Sequence, residues 1–190
     1  MFSLDKLVSM GFTVAQATVI NKLFKRVGYA AKFTTNDLVS GATIPANKII
    51  QINTISGLKE IFKADTQFYI DIETILTQKG NTNPWQGGVE TVVVYQVSES
   101  DYGLAVDNFV KVNANWSQLC IDSRKVADIQ KAAVKANTNG RLFIGQTYDE
   151  TIANNSEGNI ATVLKGLNAA NTLLFYHPDE EFIAGGIAGV

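Results

Sequence analysis

The sequence predicts an α/β fold: a three-layer domain with a mostly parallel sheet of four to five strands flanked by helices, preceded by a small helical N-terminal segment. Three observations predict it. From residue 49 onward, short apolar runs alternate with amphipathic stretches. The run at 89–97 (VETVVVYQV) is β-branched and nearly continuously apolar, the mark of a central strand buried on both faces. Strands joined through helices need crossover connections, which make neighbours parallel and, being right-handed, set helices on both faces. The expected division is 1–46 for the helical segment and 47–190 for the α/β domain.

In the first segment, Thr13 and Gln16 form a capping box ahead of Ala17, Ile20, Leu23 and Phe24. A shorter helix over 4–10 stops at Gly11. Further on, 49–53 (IIQIN) reads as a short strand and 54–62 as a short helix. Asp65 is the expected N-cap of a helix to Lys79, because Phe68, Ile72 and Ile75 share one face. Gly80 ends it, and the loop NTNPWQGG follows. After the 89–97 strand, Ser98 caps a helix with Tyr102, Val106, Phe109 and Val110 inward. A strand at 116–121 (WSQLCI) leads to a helix capped by Asp122 or Ser123, with Val126, Ile129, Ala133 and Ala136 inward. A strand at 141–147 (RLFIGQT) and a helix from Ser156, with Ile160, Val163, Leu164 and Leu167 inward, come next. The last strand is 172–176 (TLLFY), with a further helix from Pro178.

A chain of 190 residues suits one domain and buries about two-thirds of its unfolded surface. Its 46% apolar content and net charge of −2 exclude a disordered chain. The same balance argues against nucleic-acid binding, which depends on a basic footprint. The one local exception is Lys22, Lys25, Arg26 and Lys32. These read as the solvated face of a helical hairpin, with a helix-turn-helix reader as the alternative. No segment reaches the roughly 18 apolar residues of a membrane helix, and residues 1–12 lack the pattern of a signal peptide. The protein is expected on the cytosolic side of the membrane.

The residues that carry chemistry are few. One Cys excludes an intrachain disulfide and a Cys-rich zinc site, and one His excludes two-His metal motifs. No phosphate-binding G-x-x-x-x-G-K-[S/T] loop occurs, and neither Gly87-Gly88 nor the 185–189 cluster follows a strand into a helix. Cys120 lies in an apolar strand, where Cys behaves as a small hydrophobe. His177 stands before Pro178 and near Asp179, Glu180 and Glu181. Asp122 and Asp149 each follow a strand, where open α/β sheets bind their ligands. Asp122, Asp149 and His177 within hydrogen-bond reach of one another would mark a doubly wound enzyme. The simpler reading makes Asp122 an N-cap, Asp149 a turn residue and His177 a turn tied to its neighbours. No catalytic residue, cofactor or metal ligand is expected. Trp85, between Pro84 and Gly87, is a candidate interface anchor.

The ordered segments NKIIQINTISGLKEIF, ILTQ, VVVYQV, NFVKVNANWSQLCIDSRKVADIQKAAVKANTNGRLFIGQT and NTLLFYHPDEEFIAGGIAGV, spanning 46–190, resemble the sheath proteins of contractile phage tails. The resemblance includes a Trp-containing strand after a helix, and a strand ending Tyr176-His177-Pro178 that leads into a small-residue helix. It implies a structural, non-enzymatic subunit of the virion tail, assembled in the host cytoplasm, whose partners are its own copies, the tail tube and the baseplate. Such subunits polymerise around the tube in an extended state. They contract by rearranging their mutual contacts, without hydrolysing ATP, and drive the tube into the host envelope. Injection-system sheaths belong to the same family. Members usually continue into a C-terminal domain that, with terminal arms, carries strand exchange between neighbours. This chain stops in an apolar run, so it is expected to be a fragment, with Ile187 and Val190 as further interface candidates. The alternatives are a doubly wound enzyme acting on a small molecule at the strand carboxyl ends, and a module whose N-terminal helices bind protein or nucleic acid.

Overall fold

In the computed structural model, which describes residues 25–77, 89–154 and 157–178, a six-stranded sheet runs in the order β2-β3-β1-β4-β5-β6. Its strands are β1 (Arg26–Ala31), β2 (Ile49–Ile52), β3 (Thr91–Gln96), β4 (Gln118–Ile121), β5 (Leu142–Thr147) and β6 (Thr172–Tyr176). The helices are α1 (Ile55–Ile61), α2 (Gln67–Thr77), α3 (Tyr102–Val112), α4 (Val126–Thr138), α5 (Glu150–Ala153) and α6 (Ile160–Gly166). Every pairing is parallel except β2 with β3, which is antiparallel at one edge. The three-layer α/β architecture is therefore present, with one strand more than the upper expectation.

That additional strand corrects the expected N-terminal division. Residues 26–31, read as part of a helical segment, form β1, which lies between β3 and β4 near the middle of the sheet. Between it and β2 the only helical piece is the single turn Thr35–Asp37, closed by a Thr34–Asp37 capping box. The expected helices over 4–10 and 13–24 lie outside the described residues. β1 (RVGYAA) holds one β-branched residue, so its local propensity is low. Tertiary packing makes it a strand. Gly28 faces Trp116 and Phe109, and a Cβ there would stand 2.8 Å from Trp116 Cδ2 and 3.0 Å from Phe109 Cε1. A glycine inside a strand marks this kind of close approach.

Strand alternation divides the core in two. On one face Val27, Tyr29, Val92, Val94, Cys120 and Ile144 pack against Leu58 of α1 and Phe68, Ile72 and Ile75 of α2. On the other, Ala30, Val93, Tyr95, Leu119 and Phe143 pack against α3, α4 and α6 through Phe109, Ile129, Ala133 and Leu164. Fully buried Trp116 precedes β4 and donates its indole N–H to Asn113 O at 2.7 Å. Its ring lies 4.6 Å from Phe109, which stacks on Tyr95 at 5.1 Å.

The helix starts differ in detail from expectation. Asp101, not Ser98, caps α3 by accepting the Leu104 N–H at 2.9 Å. Ser98 still belongs to the loop, where its N–H is held by Glu99. Neither Asp122 nor Ser123 caps α4, which starts after Lys125 without a side-chain cap. Asn159 rather than Ser156 caps α6, accepting from Thr162 N–H at 3.0 Å.

Replacing Gly28 with Ala should lower the unfolding free energy by about 1–3 kcal/mol, the usual effect of overpacking a dense core. Urea denaturation measures it, and an unchanged midpoint would contradict the close packing at β1.

Candidate functional site

A ligand of a doubly wound sheet is expected beyond the strand carboxyl ends, where the crossovers diverge. Here α1 and α2 link β2 to β3 on one face, while α3 carries the chain from β3 across β1 to β4 on the other. The divergence therefore falls between β1 and β4. The protein fills that place with its own polar groups. Asp122, directly after β4, accepts the Lys32 N–H at the end of β1 at 3.0 Å. Its other oxygen accepts the hydroxyl of Tyr102, the first residue of α3. Burial pushes the Asp122 carboxyl above its ordinary range, and the bonds from Tyr102 and Lys32 offset this only in part. Tyr102 is itself raised, by burial and then by the Asp122 charge.

A second network lies on the opposite face. Asp71, on the inner side of α2, is fully buried. It accepts from Tyr29 Oη, from Arg124 Nη2 at 3.1 Å and from Gln67 Nε2 at 3.0 Å. Arg124 also donates to the carbonyls of Ile121 and Asp122 at 3.0 and 3.1 Å. A buried carboxylate with three donors, one of them a guanidinium, is a paired ion whose charge is met inside the protein. Burial, then the Asp71 charge, push the Tyr29 hydroxyl well above its usual range.

The cavity at this rim, about 340 Å³, is bounded by Gln67, Asp122, Ser123, Arg124, Lys125 and Tyr148. Most of its polar groups serve the protein: Ser123 Oγ donates to Asp128 at 2.6 Å and accepts the Lys125 N–H at 3.3 Å. Lys125 and Tyr148 are exposed.

Asp122, Asp149 and His177 stand after three successive strands, β4, β5 and β6. The two acids are committed separately. Asp122 holds Lys32 and Tyr102, and Asp149 caps α5 by accepting the Thr151 N–H at 3.0 Å. His177 continues the β5–β6 ladder through its N–H to Thr147 O at 3.0 Å. Cys120 is fully buried and its thiol is pushed up by burial, away from the thiolate that nucleophilic chemistry requires. Among the described residues no group of three or more His, Cys, Asp or Glu is placed to hold a metal ion. Among them, too, no helix is long and apolar enough to cross a membrane. Trp85, Ile187 and Val190 lie outside the described residues.

The cations near the N-terminal boundary do not form one helical face. Lys25 and Arg26 stand at one end of β1 and Lys32 just past the other, about 20 Å away at strand rise. Lys25 pairs with Glu90, and Lys32 lies 4.9 Å from the Tyr102 ring centre. Lys22 lies outside the described residues.

Sequence reasoning missed Tyr29, Asp71, Tyr102 and Arg124. One signal was present: Asp71 interrupts the apolar face formed by Phe68, Ile72 and Ile75, and an acid there requires a buried partner. Its partners, 42 and 53 residues away, carry no local mark. No protein-family model and no curated protein matches the chain.

Arg124→Ala should cost about 3–5 kcal/mol, because it strands the buried Asp71 charge. Replacing the pair together, Asp71→Leu with Arg124→Met, should recover most of that loss in urea denaturation. A double variant as unstable as the single one would contradict the ion-pair account.

Two carboxyls should give opposite pH dependences. Burial raises Glu99, but bonds from Tyr95, Asn108 and Ser98 N–H together outweigh it and hold it at about 2. Its stabilisation is present above its unfolded value and lost as pH falls toward 2. Asp122 is raised, so its protonated form favours the folded state. That stabilisation is full below the unfolded value and lost as pH rises through the folded one. Glu99→Gln should flatten the acid-side loss of stability, and Asp122→Asn the loss on rising pH, both read from urea midpoints between pH 2 and 7.

Proposed function

We propose that this chain is a structural subunit, or part of one, of a contractile phage tail sheath, polymerising around the tail tube and contracting by rearrangement of subunit contacts. The sequence resemblance over 46–190 supplies the family. The observation that carries an assembling role is the edge strand β6. Every other strand contains fully buried residues, whereas all five of β6 are partly or largely exposed. Its sequence, TLLFY, has no charge and no proline, the devices by which proteins protect an open edge. Leu173 is 43% exposed, and the Thr172 hydroxyl is buried without a hydrogen-bond partner. Beside the strand runs a groove of about 340 Å³ bounded by Ala161, Leu164, Ala170 and Leu174. An apolar edge with an adjoining groove suits the addition of a strand from a neighbour.

The filled divergence between β1 and β4 favours this reading over the small-molecule enzyme. A catalytic carboxylate must reach a substrate proton, and Asp122 and Asp149 are turned to groups of the protein itself. The rim cavity is the observation that favours the enzyme reading, and its exposed lining residues are Lys125, Tyr148 and Gln67, the last of which bonds to Asp71. The scattered cations around β1 weigh against a nucleic-acid module.

Negative-stain electron microscopy of the concentrated protein, alone and with tail tube added, tests the proposal. Striated tubes or stacked rings are the expected result. Leu173→Lys should abolish them while leaving the far-UV circular dichroism unchanged. Dispersed particles in both conditions, together with a small molecule that protects the rim residues, would transfer the function to the enzyme reading.

A further inference from the structure

The outer flank of the helical layer carries a second apolar recess. It is about 390 Å³, lies between α3 and α4, and is closed by Leu167 just after α6. Its apolar walls are Leu104, Val134 and Leu167, and Leu104 and Leu167 are 51% and 47% exposed. Gly103 of α3 faces α4 here, and a Cβ on it would lie 3.5 Å from both the Lys131 and Lys135 side chains, in ordinary contact. Those two lysines stand one turn apart on α4 and form the cationic rim. They pair with Asp101 at 3.4 Å and Asp107 at 2.7 Å, with Lys131 exposed and Lys135 partly so. Exposed pairs of this kind exchange partners at little cost.

The complementary feature lies at the strand carboxyl ends. Tyr148, 51% exposed, is followed directly by Asp149 and Glu150. It is an aromatic knob with two adjacent carboxylates, and Tyr is among the residues that anchor interfaces most often. Knob and recess are different patches of one rigid domain, so a contact between them joins copies head to tail. Such a contact repeats, and it closes into a ring or winds into a helix instead of ending at a dimer.

We propose that Tyr148 of one copy seats in the Leu104–Val134–Leu167 recess of a second copy, with Glu150 opposite Lys131 and Lys135. The inference rests on the assembling role proposed above and names the surfaces that carry it. A single knob is a small interface, weak between two copies. It gains strength when each subunit is held at several points.

Sedimentation velocity of the full chain over a concentration series, with electron microscopy of the same samples, tests this. Tyr148→Ala, Glu150→Lys and Lys131→Glu should each raise the concentration needed for assembly by about tenfold or more. The combined Glu150→Lys and Lys131→Glu variant should return it to within about threefold of the unaltered protein. Thermal unfolding of each variant separates loss of contact from loss of fold, and a failed fold is replaced by Leu167→Ser at the recess wall. Variants that assemble like the unaltered protein would overturn the knob-and-recess contact and leave the sheath reading standing. An unaltered chain that stays monomeric at every concentration, with or without tube, would overturn both.

Discussion

The buried carboxylate of Asp71 is the constraint on which the rest of the structure depends. It joins three segments distant in sequence: Tyr29 on the central strand β1, Gln67 and Asp71 on α2, and Arg124 in the loop between β4 and α4. An isolated charge in that position would be prohibitive, so α2 can dock on the sheet only when β1 and the β4 loop are in register beneath it. The ion pair adds little net stability beyond what an apolar replacement would supply. It gives the arrangement specificity, because a slipped packing leaves an ion without its partner.

Asp122 performs the corresponding task on the other face. It joins the end of β1 to the start of α3 just where the chain crosses the sheet. The two networks meet in the segment Asp122-Ser123-Arg124, where residues two positions apart reach opposite layers. This concentrates polar chemistry at the strand carboxyl ends, the usual location of an active site in such folds. The chemistry there is inward-facing: Asp122 and Arg124 bond to the protein's own groups.

Rigidity of this kind fits a subunit that moves as a body. The two cores have dense aromatic centres, Phe33 with Phe62 and Phe68 on one side and Tyr95 with Phe109 and Trp116 on the other. A contractile lattice requires such bodies to exchange contacts without deforming, since packed interiors switch between discrete arrangements and do not stretch. Among the described residues, exposed apolar surface includes the uncharged edge β6, the recess between α3 and α4, and the aromatic knob at Tyr148.

Local patterning was enough to determine the α/β class and the order of the strands from β2 to β6, because apolar runs alternate with stretches of helical period; the short α5 escaped it. Asp71, an acid among Phe68, Ile72 and Ile75 on that helix face, went unread although its position carried the signal. Only the tertiary structure decided that 26–31 is a central strand. Its alanines and Gly28 have weak strand preference, and the residues that make it one, Trp116 and Phe109, arrive from about 80 to 90 positions away in the chain. The same limit hid the partners of Asp71 and Asp122. Periodicity reports which face of an element is buried. Which charge meets which across the core depends on the packing of elements that are not neighbours in sequence.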